Sequence, residues 1–422
     1  MCGTYKVVVT KSSMTCSDHQ APDSNGSTPN HRLDVRTNGV APYHHHPQPI
    51  VSLDHGDPTM YEAYWKKVGQ RCSVTMSGFQ SLSYFGDGKT LCWFMEKKLE
   101  DEIRKMHKVA GNAVVDGRHI VVGTGSSQLI LAALYALAYT LDIPNPVDVV
   151  SAAPYYSSYP EMIEFVRTGL FKWSGDARCF DKDVPYIEFV TSPNNPDGST
   201  REAVVMNRGE LGLLVHDLAY YWPQYTAITS PADHDLMLFT ASKCTGHAGS
   251  RIGWAVVRDE NVARKMVKFI EMNTIGVSKE AQLRSASVME LISLSCQKRK
   301  PCDVENFFDY SQRAMEERWR RLRDVVNNSQ LFSLPKFPEH YCNFRREIVQ
   351  TYPAFAWMKC KEGIDGERLL REHKIGTRSG RRFGCEAEFV RISMLSRDED
   401  FDLFLHRLST IQPTASANGN QN

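Results

Sequence analysis

The sequence predicts an α/β protein in which helices sandwich a mainly parallel sheet, with a smaller α+β domain toward the C-terminal end. Three observations carry this. Short β-branched runs alternate with helical patterns through the middle of the chain. Pro335 and Pro338 break the alternation after about residue 330. Polar and glycine-rich clusters stand at the carboxyl ends of the runs, where open α/β sheets bind ligands.

The elements justify themselves in order. Residues 1–48 are rich in Ser, Thr, Asn, Asp, Pro and His and poor in large apolar side chains, so they cannot bury enough surface to offset their ordering entropy. They are expected to form a disordered tail. Its run His44, His45 and His46 is read as low complexity, with no further ligand nearby to complete a metal site. Residues 49–80 join the smaller domain, and 81–328 form the large domain. Its strand-like runs are 119–123, 147–151, 186–190, 213–216, 235–239 and 252–257, and helical patterns cover 126–141, 261–272 and 304–327. Residues 329–411 form the smaller domain, with amphipathic helices around 367–373 and 398–408, and a second tail runs over 412–422.

Composition limits the partners. Lys plus Arg is 50 and Asp plus Glu is 49 in 422 residues, which argues against nucleic acid or an acidic membrane surface. The apolar stretch 129–141 is too short to span a bilayer and reads as a buried helix. The 11 cysteines form no CxxC pair, and no apolar signal core opens the chain. Free thiols in a reducing compartment follow, so the expectation is a cytoplasmic protein with no metal.

The strand-end clusters carry the chemistry. Gly123-Thr-Gly125-Ser126-Ser127 lies between a strand and an apolar helix and offers backbone N–H groups and hydroxyls to an anion. It matches neither GxGxxG nor a Walker A loop. Tyr156 follows the next run, as a possible platform for a flat ring. Ser192-Pro-Asn-Asn195-Pro supplies amide donors and acceptors on a proline-fixed turn. His216-Asp217-Leu-Ala-Tyr220 puts a carboxylate and a phenol at a buried strand end. Thr240-Ala-Ser-Lys243 puts a lysine among small residues, and a buried lysine must be paired, deprotonated or covalently modified. Arg251 follows, suited to a phosphate. Each cluster alone has a plain reading: a helix cap, core packing, a loop, a structural ion pair, a lysine reaching solvent. Together they describe one ligand that is flat, aromatic and phosphorylated, with a ring nitrogen and an aldehyde. Pyridoxal 5′-phosphate has these properties.

The same order of clusters resembles fold-type I pyridoxal-phosphate enzymes. Asp54-His-Gly56-Asp-Pro-Thr59, Ser192-Pro-Asn-Asn-Pro-Asp-Gly198, Asp217-Leu-Ala-Tyr-Tyr-Trp-Pro223 and Ser242-Lys-Cys-Thr-Gly-His-Ala-Gly-Ser-Arg-Ile-Gly-Trp254 look more closely like the plant tryptophan aminotransferase family. That family is related to alliinase, a carbon–sulfur lyase, and the similarity runs from about Val51 to Ile411. The resemblance implies a large domain with a seven-stranded type of sheet. It implies that Lys243 holds the cofactor covalently and carries a proton between Cα and C4′. Asp217 would keep the pyridine nitrogen protonated, Asn195 and Tyr220 would bond the ring oxygen, and Tyr156 would stack on the ring. Gly125, Ser126, Ser127, Thr240 and Arg251 would hold the phosphate. Arg391, in Phe389-Val-Arg-Ile-Ser393, would clamp the substrate carboxylate, and Gly56 would approach the substrate. Tyr84 would reach the phosphate of the other subunit in a homodimer with shared sites.

Two departures weigh on the reaction. Alliinases carry a cysteine-rich module and a secretory signal, whereas only Cys2 and Cys16 precede residue 50 here. That favours transfer of an amino group from L-tryptophan to a 2-oxo acid such as pyruvate, giving indole-3-pyruvate for auxin synthesis. Cleavage of cysteine sulfoxides and a broader aromatic amino acid range stay open as alternatives. Cys244, beside the lysine where many relatives are apolar, reads as a small buried side chain.

Overall fold

A computed structural model describes residues 49–412 except 89, 142, 206–211 and 298–303. The first tail, with Cys2, Cys16 and His44–His46, lies outside the described residues, as does all of the second beyond Gln412.

The large sheet has seven strands: β1 (His119–Thr124), β2 (Val147–Ser151), β3 (Phe171–Asp176), β4 (Tyr186–Thr191), β5 (Gly212–Asp217), β6 (Leu236–Thr240) and β7 (Ile252–Val257). Their spatial order is β1-β7-β6-β5-β4-β2-β3. The run from β6 to β3 is parallel, while β7 is antiparallel to both of its neighbours. Six of these strands match the expected runs within a residue. β3 was not expected. Its sequence Phe-Lys-Trp-Ser-Gly-Asp sits at the sheet edge with only Phe171 buried, so it lacks the apolar density that marked the others.

β2, β4 and β6 are fully buried and mostly apolar, β2 and β4 each carrying one buried acid, Asp148 and Glu188. The helices up to the second sheet are α1 (Glu62–Val68), α2 (Lys97–Ala110), α3 (Gly125–Leu141), α4 (Ser158–Val166), α5 (Glu260–Thr274), α6 (Lys279–Ser295) and α7 (Phe307–Asn327). α3 packs on α5 and α2 on α6. The helix starts follow from capping chemistry. Asp259 accepts from Val262 N at 2.8 Å, and Asn306 accepts from Phe308 N at 2.9 Å. The second cap is why α7 begins at Phe307 and not at Val304, where apolar periodicity first appears.

A polar knot sits inside the large core. His107 is buried between Trp222, Phe239 and Trp254. Its Nε2 accepts from Trp254 Nε1 at 2.9 Å, so its proton lies on Nδ1 and faces Asn112 Oδ1 at 2.8 Å. Burial holds this imidazole down at about 4, hence neutral.

The second sheet is antiparallel and ordered β10-β11-β9-β8, from β8 (Phe332–Ser333), β9 (Phe355–Cys360), β10 (Arg378–Ser379) and β11 (Phe389–Ser393). It is flanked by α8 (Gly366–Glu372) and α9 (Asp398–Ser409). Residues 51–52 pair with 375–376, and Ser393 N donates to Leu53 O at 2.8 Å. These bonds bring the loop 54–57 against β11. Among the described residues the cysteines are free, and no helix is long and apolar enough to cross a membrane.

Candidate active site

A cavity of about 360 Å³ opens beyond the carboxyl ends of β4, β5 and β6, against the start of α3 and the second sheet. Of the thirteen expected site residues, eleven line it: Gly56, Ser126, Ser127, Tyr156, Asn195, Asp217, Tyr220, Thr240, Lys243, Arg251 and Arg391. Gly125 stands directly behind Arg251. Tyr84 stands apart, 69% exposed, in a segment where Phe79, Leu82 and Phe85 are exposed too.

Lys243 lies in a single helical turn, Ala241–Cys244, which Thr240 caps by accepting from Ser242 N at 3.2 Å. That turn ends the strand abruptly and swings the lysine into the cavity. Its carbonyl accepts from Gln224 Nε2 at 3.0 Å and from Tyr225 OH at 3.2 Å, which pins the backbone. Nζ donates to Gly56 O and sits 5.7 Å from the Tyr220 ring centre. Burial, then the Arg391 and Arg251 guanidinium groups, lower this amine from 10.5 to about 8. At pH 7 the amine is still mostly ammonium, but about a tenth of it is the uncharged nucleophile, far more than for an ordinary lysine. Gly56 is required at its position: an added Cβ would lie 2.8 Å from Phe355 Cζ and 3.0 Å from Lys243 Nζ.

Asp217 ends β5 and is buried. Its Oδ2 accepts from Tyr159 OH at 2.9 Å and its Oδ1 from Ala219 N at 3.2 Å. Tyr159 is itself buried, stacked on Phe189 and bonded to Thr191 Oγ1 at 2.7 Å. Burial raises the Asp217 carboxyl although both hydrogen bonds favour its charged form. A cationic ring nitrogen would supply the missing counter-charge. Tyr156 lines the same wall, edge-on to Tyr159 at 5.3 Å.

The two neighbouring asparagines divide their work. Asn194 ties the loop by donating to Pro154 O and Asp197 Oδ1, each at 2.9 Å. Asn195 faces the cavity and accepts from Arg391 Nη1 at 3.1 Å. Arg391 also donates to Asp54 O and lies over the Phe355 ring, its Cζ 4.1 Å from the centre. Burial and the nearby Arg378 lower this guanidinium to about 10.

An anion cradle closes the other end. Gly125 has φ 74° and lies so close to Arg251 that a Cβ would meet Nη2 at 2.5 Å. A Cβ on Gly253 would meet Gly125 C and Ser126 N at 2.8 Å, so β7 presses against the start of α3. The first-turn N–H groups of α3 have no acceptor within the helix, and Ser126, Ser127 and Arg251 line the cavity at that end. Thr240 Oγ1 donates to Ile252 O at 3.2 Å, fixing β6 to β7 at this end. Cradle, buried carboxylate and buried lysine together fit a phosphorylated pyridine aldehyde.

Reading the sequence missed Thr191, Ser158, Tyr159, Phe355 and Arg378 around this site. Tyr159 carried one weak signal, its position three residues after Tyr156 at a helix start. Arg378 carried none. Cys244 is fully buried, and burial pushes its thiol up, so it acts as packing. His216, beside Asp217, points to the opposite face of the sheet and stacks on His234 at 3.5 Å.

Comparison with known proteins gives the family and the fold. Residues 51–412 match the model of the Alliinase_C family, described as allinase. The chain is 56% identical over 363 residues to tryptophan aminotransferase-related protein 2 of Arabidopsis thaliana, covering 86% of this chain and 81% of that one. It is 35% identical over 364 residues to alliin lyase of Allium cepa var. aggregatum, covering 84% and 79%. Among solved structures, the aspartate aminotransferase of Rhizobium meliloti shares the fold, with TM-score 0.59 and 16% identity over 86% of this chain and 90% of that one. By sequence over nearly its whole described length, and on a fold-type I aminotransferase scaffold, this chain belongs to the allinase family.

Proposed function

We propose that this protein is a pyridoxal-phosphate-dependent aminotransferase that moves the amino group of L-tryptophan to a 2-oxo acid, pyruvate foremost, giving indole-3-pyruvate in auxin synthesis. One observation carries the reading: Lys243, its amine lowered to about 8, shares a single cavity with the buried Asp217, the Arg251 cradle and the buried Arg391. The 56% identity to a protein named tryptophan aminotransferase-related supports the donor.

The bound cofactor supplies an aldehyde and an electron sink. The chain's own residues do the rest. Lys243 would provide the amine that holds the cofactor and would move the proton at the substrate Cα. Asp217, held by Tyr159, keeps the ring nitrogen protonated. Tyr220 and Asn195 hold the ring oxygen, and Tyr156 covers the ring face. Gly125, Ser126, Ser127, Thr240 and Arg251 hold the phosphate. Arg391 orients the α-carboxylate, with Phe355 and Gly56 closing over it and limiting water. The exposed apolar side chains of Phe79, Leu82, Tyr84 and Phe85 support a homodimer in which Tyr84 serves the partner's phosphate. The free cysteines fit the cytoplasm.

Similarity to alliin lyase favours one second reading, elimination from cysteine sulfoxides. The test is a donor panel. With L-tryptophan and pyruvate, alanine and indole-3-pyruvate should accumulate in equal amounts. No alanine from any aromatic donor, with pyruvate released from a cysteine sulfoxide in the absence of any oxo acid, would replace the first reading by the second.

A further inference from the structure

The cavity holds more positive charge than one cofactor and one carboxylate account for. Lys243, Arg251, Arg378 and Arg391 line it, and among the described residues Asp217 is the single carboxylate that does; Asp54, behind the lining, offsets part of the charge of Arg378 and Arg391. The proposed function assigns three of these cations: Lys243 to the aldehyde carbon, Arg251 to the phosphate and Arg391 to an α-carboxylate. Asp217 is assigned to the ring nitrogen. Arg378 is left over.

Its placement is not that of a surface arginine. β10 and β11 are antiparallel, and Arg378 stands directly opposite Arg391 in the register. Like charges at directly opposed positions repel, and here the repulsion contributes to lowering Arg391. The Arg378 Nε is buried with no hydrogen-bond partner, as is the Arg391 Nε. Arg378 Nη1 donates to Ser157 Oγ at 3.1 Å, which turns the fork along the cavity wall beside Tyr156 and Ser158. A half-buried, planar, half-satisfied donor fork next to a buried second one matches an anion with two carboxylates.

We propose that Arg378 binds the second carboxylate of a dicarboxylic 2-oxo acid, so that acceptors of the 2-oxoglutarate class bind through two arginines of the same chain and pyruvate through one. The inference rests on the aminotransferase reading and adds dicarboxylic acceptors of the same site to pyruvate. Bringing in a second carboxylate relieves the repulsion between the two guanidinium groups.

The experiment uses the full-length protein loaded with pyridoxal phosphate. Isothermal titration compares glutarate, an unreactive dicarboxylate, with propionate, on the wild type, Arg378→Gln and Arg378→Lys. Steady-state rates compare 2-oxoglutarate with pyruvate on the same three proteins. The expected result is glutarate binding at least tenfold tighter than propionate in the wild type, with that preference lost in Arg378→Gln and partly kept in Arg378→Lys. The ratio of kcat/KM for 2-oxoglutarate over pyruvate should fall at least tenfold in Arg378→Gln. Equal losses for both carboxylate classes would overturn the proposal and make Arg378 a second clamp on the α-carboxylate. An unchanged glutarate preference in a correctly folded Arg378→Gln would overturn it too. The binding arm needs no turnover: a wild type that prefers glutarate yet aminates no oxo acid would defeat the aminotransferase reading alone.

Discussion

Replacing Lys243 by methionine should make the cofactor-free protein more stable near neutral pH, although it destroys the reactive amine. The amine is lowered from 10.5 to about 8 in the folded chain. The unfolded chain therefore binds more protons between pH 8 and 10.5, and stability rises with pH across that window. Below about pH 8 the folded protein carries the whole penalty of a buried, repelled ammonium, about 3 kcal/mol at about 1.4 kcal/mol per pK unit. Methionine removes the penalty but forfeits the hydrogen bond to Gly56 O, a loss of about 1 kcal/mol. The net gain at pH 7 is about 1–3 kcal/mol. Urea unfolding of wild type and Lys243→Met, both stripped of cofactor, measures this directly at pH 7, 8, 9 and 10. The difference between the two proteins should shrink and then reverse as pH rises. Arg391 also titrates toward the top of this range, but Lys243 is by then uncharged, so that step is nearly the same in both proteins and largely cancels. A difference that stays flat from pH 7 to 10, or a variant less stable at pH 7, would refute the burial argument for Lys243. Loaded wild type should be stabilised by its ligand, and the variant should have no turnover.

Tyr159→Phe removes one of two donors to the buried Asp217 and leaves Thr191 Oγ1 without its partner. Unfolding should show a loss of about 1–3 kcal/mol, and absorbance titration should show weaker cofactor binding with a ring nitrogen that loses its proton at lower pH; an unshifted spectrum across pH would remove Tyr159 from the site's electrostatics. Gly125→Ala forces a Cβ to 2.5 Å from Arg251 Nη2 at a positive φ, so cofactor affinity by equilibrium dialysis should fall at least about tenfold, with free phosphate as a competitor weakened in parallel.

Much of the fold was legible because local chemistry encodes it. Strands buried between two layers of helices are mostly apolar on both faces, so runs such as 147–151 and 252–257 announce themselves, while the half-exposed edge strand 171–176 does not. Helix ends follow caps, and the Asn306 cap overruled an apolar pattern that began earlier. The site residues that stood out were those whose type is costly at a strand end: Asp217, Lys243, and glycines that accept no Cβ.

The sequence by itself determined the alternation of strands and helices, the order of the strand-end clusters and, through them, the ligand they suit. The tertiary structure alone decided which distant groups meet. Tyr159 reaches Asp217 across 58 residues, Lys243 meets Gly56 across 187, and Arg391 meets Asn195 across 196. Arg378 became part of the site only through its register opposite Arg391. The physical reason is range. Periodicity, capping and turn chemistry act over a few residues and leave a trace in the local sequence. A pairing register between two short strands is set by the packing of the whole sheet, so two arginines that face one another leave none.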